Sequence, residues 1–134
     1  MDRVFLDANV LFSAVYQTGA GLAKLWKIDN AKLITSTYAL AEAHINLDQD
    51  IQKQRLDRLA KQVELLGEQV DNMNLPEHVV LPDKDKPILQ AAIRAQSSHL
   101  LTGDFRHFGP YYDQTIQGVL IQTPSAYLRR NKDG

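Results

Sequence analysis

Two short apolar runs, Val4-Phe5-Leu6 and His99-Leu100-Leu101-Thr102, lead into the aspartates Asp7 and Asp104, and a helix-like segment follows each. Runs of this length rich in strand formers, alternating with stretches of helical period, constrain the chain more than any other feature. Strands that alternate with helices imply a mostly parallel sheet covered on both faces. The crossovers in such units are right-handed, so equivalent strand ends lie along one edge of the sheet.

The remaining segments extend this pattern. Residues 10–16 read as a helix, broken by Gly19 and Gly21, and Leu22, Leu25, Trp26 and Ile28 form a second short amphipathic piece. Residues 32–36 read as a strand, with Ser36 or Thr37 capping a helix whose apolar face is Leu40, Ala43 and Leu47. Across 50–66, Leu56, Leu59, Ala60, Val63 and Leu66 share a helical period, which predicts one long helix. Residues 72–76 are a polar connection, and 78–81 read as a short strand ended by Pro82. Asp85 precedes Pro87 and the stripe Ile88, Leu89, Ala92 and Ile93, the expected pattern of a helix with proline in its first turn. Residues 119–122 read as a last strand before Pro124 and a closing helix through Leu128.

A chain of 134 residues without repeats or linkers is expected to form one domain, 1–134. Its 44% apolar and 23% charged residues suit an ordinary globular core. With no cysteine, thiolate zinc sites, iron–sulfur clusters and cysteine nucleophiles are excluded. A net charge of −1 gives no argument from overall basicity for nucleic-acid binding, so such a partner would need a local patch. Lys84, Lys86, Arg94 and Arg106 are candidates for it, exposed helix charge being the plainer reading of Arg94. No apolar stretch approaches the roughly 20 residues that cross a bilayer, and the N-terminus lacks the pattern of a signal peptide. A soluble, cytoplasmic protein without a membrane partner is therefore expected.

In open α/β sheets, ligands bind outside the carboxyl ends of the strands. Asp7, Asp104 and Asp85 lie at such exits, and Glu42 stands off its helix's apolar stripe, where it can point to the same edge. Four carboxylates about 5 Å apart would repel by roughly 3 kcal/mol per pair at an effective dielectric near 20. Protonation or a hard divalent cation must relieve that, and oxygen ligands without a histidine cluster favour Mg²⁺ or Mn²⁺. Such an ion can activate a water and neutralise charge on a phosphodiester's leaving oxygen.

V-F-L-D-A-N-V-L at 4–11, S-T-Y-A-L-A-E at 36–42, P-D-K-D-K-P-I-L-Q-A-A at 82–92 and L-L-T-G-D-F at 100–105 resemble, in order and spacing, the motifs of PIN domains. The chain is most similar to the small prokaryotic members that include VapC-type toxins, from about residue 3 to Leu128. The resemblance implies a three-layer α/β/α sandwich around a mostly parallel sheet and a magnesium- or manganese-dependent endoribonuclease acting on RNA. It carries catalysis and metal binding onto Asp7, Glu42, Asp85 and Asp104, with Asn9 and Thr102 in support. Asp83 competes with Asp85, which is preferred because Pro87-Ile88-Leu89 follows it at the family spacing. The resemblance also implies the toxin half of a toxin–antitoxin pair, an antitoxin protein as partner, and a homodimer.

Plainer readings stand beside these. Asp7, Asp85 and Asp104 could each be only a helix N-cap, worth about 1 kcal/mol, and Glu42 a solvated helix residue. His44, His78 and His99 have no ligand spacing and read as structural or surface residues; Arg106 and His107, directly after the acidic motif, could touch phosphate or substrate. The basic tail 129–132 reads as a frayed end. Nucleotide-phosphate loops and the serine nucleophile elbow are absent, and Asn9 stands where an aspartyl-phosphate hydrolase would carry a second aspartate. The alternatives in other classes are a non-catalytic RNA-binding or protein-interaction module of the same fold, and a flap-cleaving DNA nuclease, which needs elements this chain lacks.

Overall fold

The computed structural model describes residues 1–16, 21–67 and 73–131. Gly19, Asn72 and Lys132 lie outside the described residues. Strand β1 (Asp2–Leu6) leads into helix α1 (Ala8–Tyr16), then a 3₁₀ helix (Gly21–Lys27), β2 (Ala31–Ser36), α2 (Thr37–Asn46), α3 (Asp50–Ala60) and β3 (Glu64–Leu66). The second half runs α4 (Lys86–Arg94), β4 (His99–Leu101), α5 (Phe105–Phe108), a 3₁₀ turn (Gly109–Tyr111), β5 (Thr115–Ile116), β6 (Val119–Gln122) and α6 (Pro124–Asn131).

These strands form a six-stranded sheet in the order β3-β2-β1-β4-β6-β5, parallel except for β5 against β6. Consecutive side chains of a strand point to opposite faces. Val4, Phe5 and Leu6 in β1, Leu33 to Ser36 in β2 and Leu100 and Leu101 in β4 are all buried, so both faces are covered. Thr35, buried between its neighbours, donates its hydroxyl to the Leu6 carbonyl at 2.8 Å, which removes the cost of placing a polar group in the core. No helix of the described residues is long and apolar enough to cross a membrane.

Two local expectations are corrected. The predicted helix over 50–66 ends at Ala60: after a turn at Lys61, Glu64–Leu66 becomes an edge strand paired with Ile34–Ser36. The apolar residues that continue a helical period also suit a strand, and pairing satisfies the free backbone groups along the edge of β2. Lys32 from the adjacent β2 and Arg3 from β1, one strand further on, reach Glu64 at 3.7 and 3.0 Å. Residues 78–81 form no strand. Val79 and Leu81 are buried as a strand would have them, but the Val80 N–H donates to the Tyr111 hydroxyl at 2.6 Å, and that hydroxyl donates to the Val80 carbonyl at 3.1 Å. One side chain thus does the work of a neighbouring strand. The sequence reading also missed β5, which forms a two-residue hairpin with β6 through Gln117 and Gly118, both at positive φ. Such turns match the natural twist of paired strands.

Candidate functional site

The chain leaves β1 toward β2 and β3 on one side and returns to place β4 on the other. The crevice outside the carboxyl ends of β1 and β4 is therefore the switch point of the sheet, where ligands of such folds bind. Backbone pairing continues past both strand ends: the Asp7 N–H donates to the Leu101 carbonyl at 3.1 Å and the Thr102 N–H to the Gln122 carbonyl at 3.1 Å. Glu42 arrives on α2, whose start is fixed by Ser36, its hydroxyl accepting the Ala39 N–H at 3.1 Å. Asp85 immediately precedes α4. Asp7, Glu42, Asp85 and Asp104 line one open cleft of about 430 Å³, together with Asn9, Phe12, Asn46 and Lys84.

Asp7 sits in a closed hydrogen-bond net. Its Oδ1 accepts the Ala8 N–H, and its Oδ2 accepts the Thr102 hydroxyl at 2.8 Å and the Asn9 amide at 3.2 Å. Asn9 turns its Oδ1 to the Gly103 N–H at 2.7 Å, while Thr102 Oγ1 accepts the Asp104 N–H at 3.1 Å. Asn9 and Thr102 thus tie the end of β1 to the T-G-D loop after β4, with Asp7 as the knot.

Joined to this net through the Asp104 N–H, Asp85, Asp104 and His107 bring one ligand atom each within 4.8 Å of one another. His107 Nδ1 lies 2.8 Å from Asp104 Oδ2 and 3.0 Å from Asp85 Oδ2. A single ring N–H can be directed at only one of these oxygens. It serves Asp104, and Asp85 Oδ2 is left buried with no hydrogen-bond donor. An orphaned, buried carboxylate oxygen beside two further donors fits a cation, so these residues suit a metal. Capping accounts for only part of the arrangement: Asp104 accepts the His107 N–H at 3.2 Å as an N-cap, whereas the Asp85 side chain makes no cap bond.

The electrostatics agree. Burial pushes the Asp7 carboxyl up to about 6, against the pull of the bonds from Thr102 and Ala8, with Asp85 and Glu42 adding repulsion. Burial, and then the charge of Asp85, raises Glu42, while Lys84 draws it back. Asp85 is raised by burial and by Asp104, and lowered by His107 and Lys84. Two tyrosines missed at the sequence level flank the same field. Tyr38 donates to the Lys84 carbonyl at 2.7 Å and Tyr112 to the Thr102 carbonyl at 2.9 Å, and both phenols are raised by burial and then by the cleft carboxylates. Nothing in their spacing marks them, because they reach the site through backbone carbonyls.

Among the other candidates, Asp83 points away: its side chain is 99% exposed and pairs with Lys86 at 3.1 Å. Of the basic residues proposed as a patch, Lys84 lines the cleft, Lys86 is engaged by Asp83, and Arg106 is exposed on α5. His107, expected at most to touch substrate, is instead held among the carboxylates. His44 pairs with Asp57 on the surface, and His99 packs edge-on against Tyr127.

No family model and no curated protein matches the sequence. Among solved structures, the chain is similar to one in the crystal structure of VapBC2 from Rickettsia felis bound to a DNA fragment from their promoter. The TM-score is 0.65 at 14% identity, over 90% of this chain and 98% of that one. The likeness is one of fold. The chain thus has the PIN-like α/β/α fold that its four motifs resemble.

Proposed function

We propose that this protein is a metal-dependent endoribonuclease that hydrolyses RNA phosphodiester bonds. The observation that carries this reading is the convergence of Asp7, Glu42, Asp85 and Asp104, far apart along the chain, on one cleft at the switch point of the sheet. A bound Mg²⁺ or Mn²⁺ would supply Lewis-acid chemistry there, activating water and neutralising charge on the leaving oxygen. The protein's own part is placement. Asp7 is held by Thr102, Asn9 and the Ala8 N–H, so its carboxylate cannot rotate away from the cleft. Asp85 and Asp104 supply further oxygens in the same cleft, and Lys84 offers a cation to a phosphate entering it.

The fold shared with a chain of the VapBC2 assembly supports a role as the toxin of a type II toxin–antitoxin pair, with an antitoxin protein covering the cleft. A homodimer, a cytoplasmic location and a single working unit over 1–134 belong to the same proposal. The test is cleavage of a single-stranded oligoribonucleotide with Mg²⁺, Mn²⁺ or chelator, using wild type and Asp7→Asn. Metal-dependent cleavage is expected, with a loss in the mutant beyond the roughly 10- to 100-fold typical of a lost supporting bond. Wild-type protein that cleaves no RNA with either metal would favour a non-catalytic binding module.

A further inference from the structure

His107 lies on the short helix α5, three residues after Asp104, the N-cap of that helix, which brings the two side chains together. It is fixed at two points on Asp104, its backbone N–H to Oδ1 at 3.2 Å and its ring Nδ1 to Oδ2 at 2.8 Å. The same Nδ1 is 3.0 Å from Asp85 Oδ2, the buried oxygen with no hydrogen-bond donor. Metal–ligand bonds of about 2.1 Å in octahedral geometry put neighbouring ligand atoms about 3 Å apart. Both separations from Nδ1 match that edge, and the three atoms all lie within 4.8 Å of one another, close enough to share one ion.

We propose that His107, in the tautomer with its ring proton on Nε2, is through Nδ1 a direct ligand of the metal in this cleft, the ion replacing the Nδ1 proton now shared with Asp104 and that proton passing to solvent, and that it biases the site toward Mn²⁺ over Mg²⁺. The inference rests on reading the cleft as a metal centre. Imidazole nitrogen suits transition metals, whereas Mg²⁺ prefers oxygen, so a nitrogen donor among carboxylates strengthens Mn²⁺ binding more than Mg²⁺ binding. The carboxylates alone would make a site for either ion, and His107 is the residue that tells the two apart.

Pulsed electron paramagnetic resonance of the Mn²⁺-loaded protein reads this directly. Wild type is expected to show ¹⁴N coupling to the ion, lost in His107→Gln, and calorimetric titration should show the ratio of Mn²⁺ to Mg²⁺ affinity falling about tenfold in that variant. Bound Mn²⁺ without ¹⁴N coupling in wild type would overturn the proposal and leave His107 a hydrogen-bonding clamp. The wild-type spectrum decides even where the variant fails to fold. Metal binding with ¹⁴N coupling but no RNA cleavage would support the ligand and refute the nuclease reading. Absence of any Mn²⁺ binding at millimolar concentration would overturn both.

Discussion

The hydroxyl of Thr102 donates to Asp7 Oδ2 at 2.8 Å, joining residues 95 positions apart across the ends of two neighbouring strands. Its lone pairs remain for the Asn9 amide and the Asp104 N–H, so one buried hydroxyl orders three residues of the cleft. Thr102→Val keeps the shape and removes these bonds. It should destabilise the fold by about 1–3 kcal/mol, the cost of leaving buried polar groups unpaired. The Thr102 bond holds the Asp7 carboxyl down, so the variant should raise it further above its position near 6. Carboxyl ¹³C titration by NMR measures this, and an unchanged or lower midpoint would contradict it.

Asp7 also predicts a pH dependence in metal-free protein. Its folded carboxyl titrates near 6 against an ordinary value of 3.8, so in that interval the folded state keeps a proton that the unfolded chain has released. Stability from this group is therefore present below 3.8 and lost as pH rises through 6, and Glu42 and Asp85, raised too, act in the same direction. Asp7→Asn removes the titration. Urea unfolding in chelator should show the mutant gaining on wild type by about 2 kcal/mol between about pH 4.5 and 7.5. A flat difference across that range would sink the assignment.

Gly103 leaves room for Asn9. A Cβ at this position would lie 3.3 Å from Asn9 Oδ1, the atom that accepts the Gly103 N–H at 2.7 Å. Gly103→Ala should move Asn9 by a few tenths of an ångström and loosen its hold on Asp7, with little effect on global stability because the residue is exposed. The expected result is metal affinity lowered about 10-fold, in the range for disturbed supporting bonds, with a melting temperature near that of wild type. Calorimetric metal titration beside a thermal melt separates the two quantities.

Tyr111 makes a contrasting prediction, for stability without function. Its hydroxyl both accepts the Val80 N–H and donates to the Val80 carbonyl, so Tyr111→Phe strands both backbone groups. A loss of about 1–3 kcal/mol is expected in denaturant unfolding, with metal binding unchanged. A variant as stable as wild type would show that water replaces the hydroxyl without cost.

Local chemistry was enough to read much of this protein from its residues. Val4-Phe5-Leu6 and Leu100-Leu101 read as strands buried on both faces, and the aspartates after them fall at one edge because parallel strands joined by crossovers end on the same side. Pro87 and the apolar stripe behind it placed α4 equally well. Where two local readings were nearly equal in free energy, only the tertiary structure decided. Residues 64–66 keep an apolar pattern that suits either helix or strand, and the open edge of β2 settled it. Residues 78–81 alternate exposed and buried like a strand, yet the Val80 backbone is bonded to a tyrosine hydroxyl. Spacing to Pro87 already favoured Asp85 over Asp83, and packing adds that Asp85 lines the cleft while Asp83 is exposed; the place of His107 among the carboxylates emerges only as distances of 2.8 and 3.0 Å. Residue type and spacing determine which groups can reach a common edge. How close they come, and which oxygen is left without a donor, depends on packing between segments that the linear chain keeps far apart.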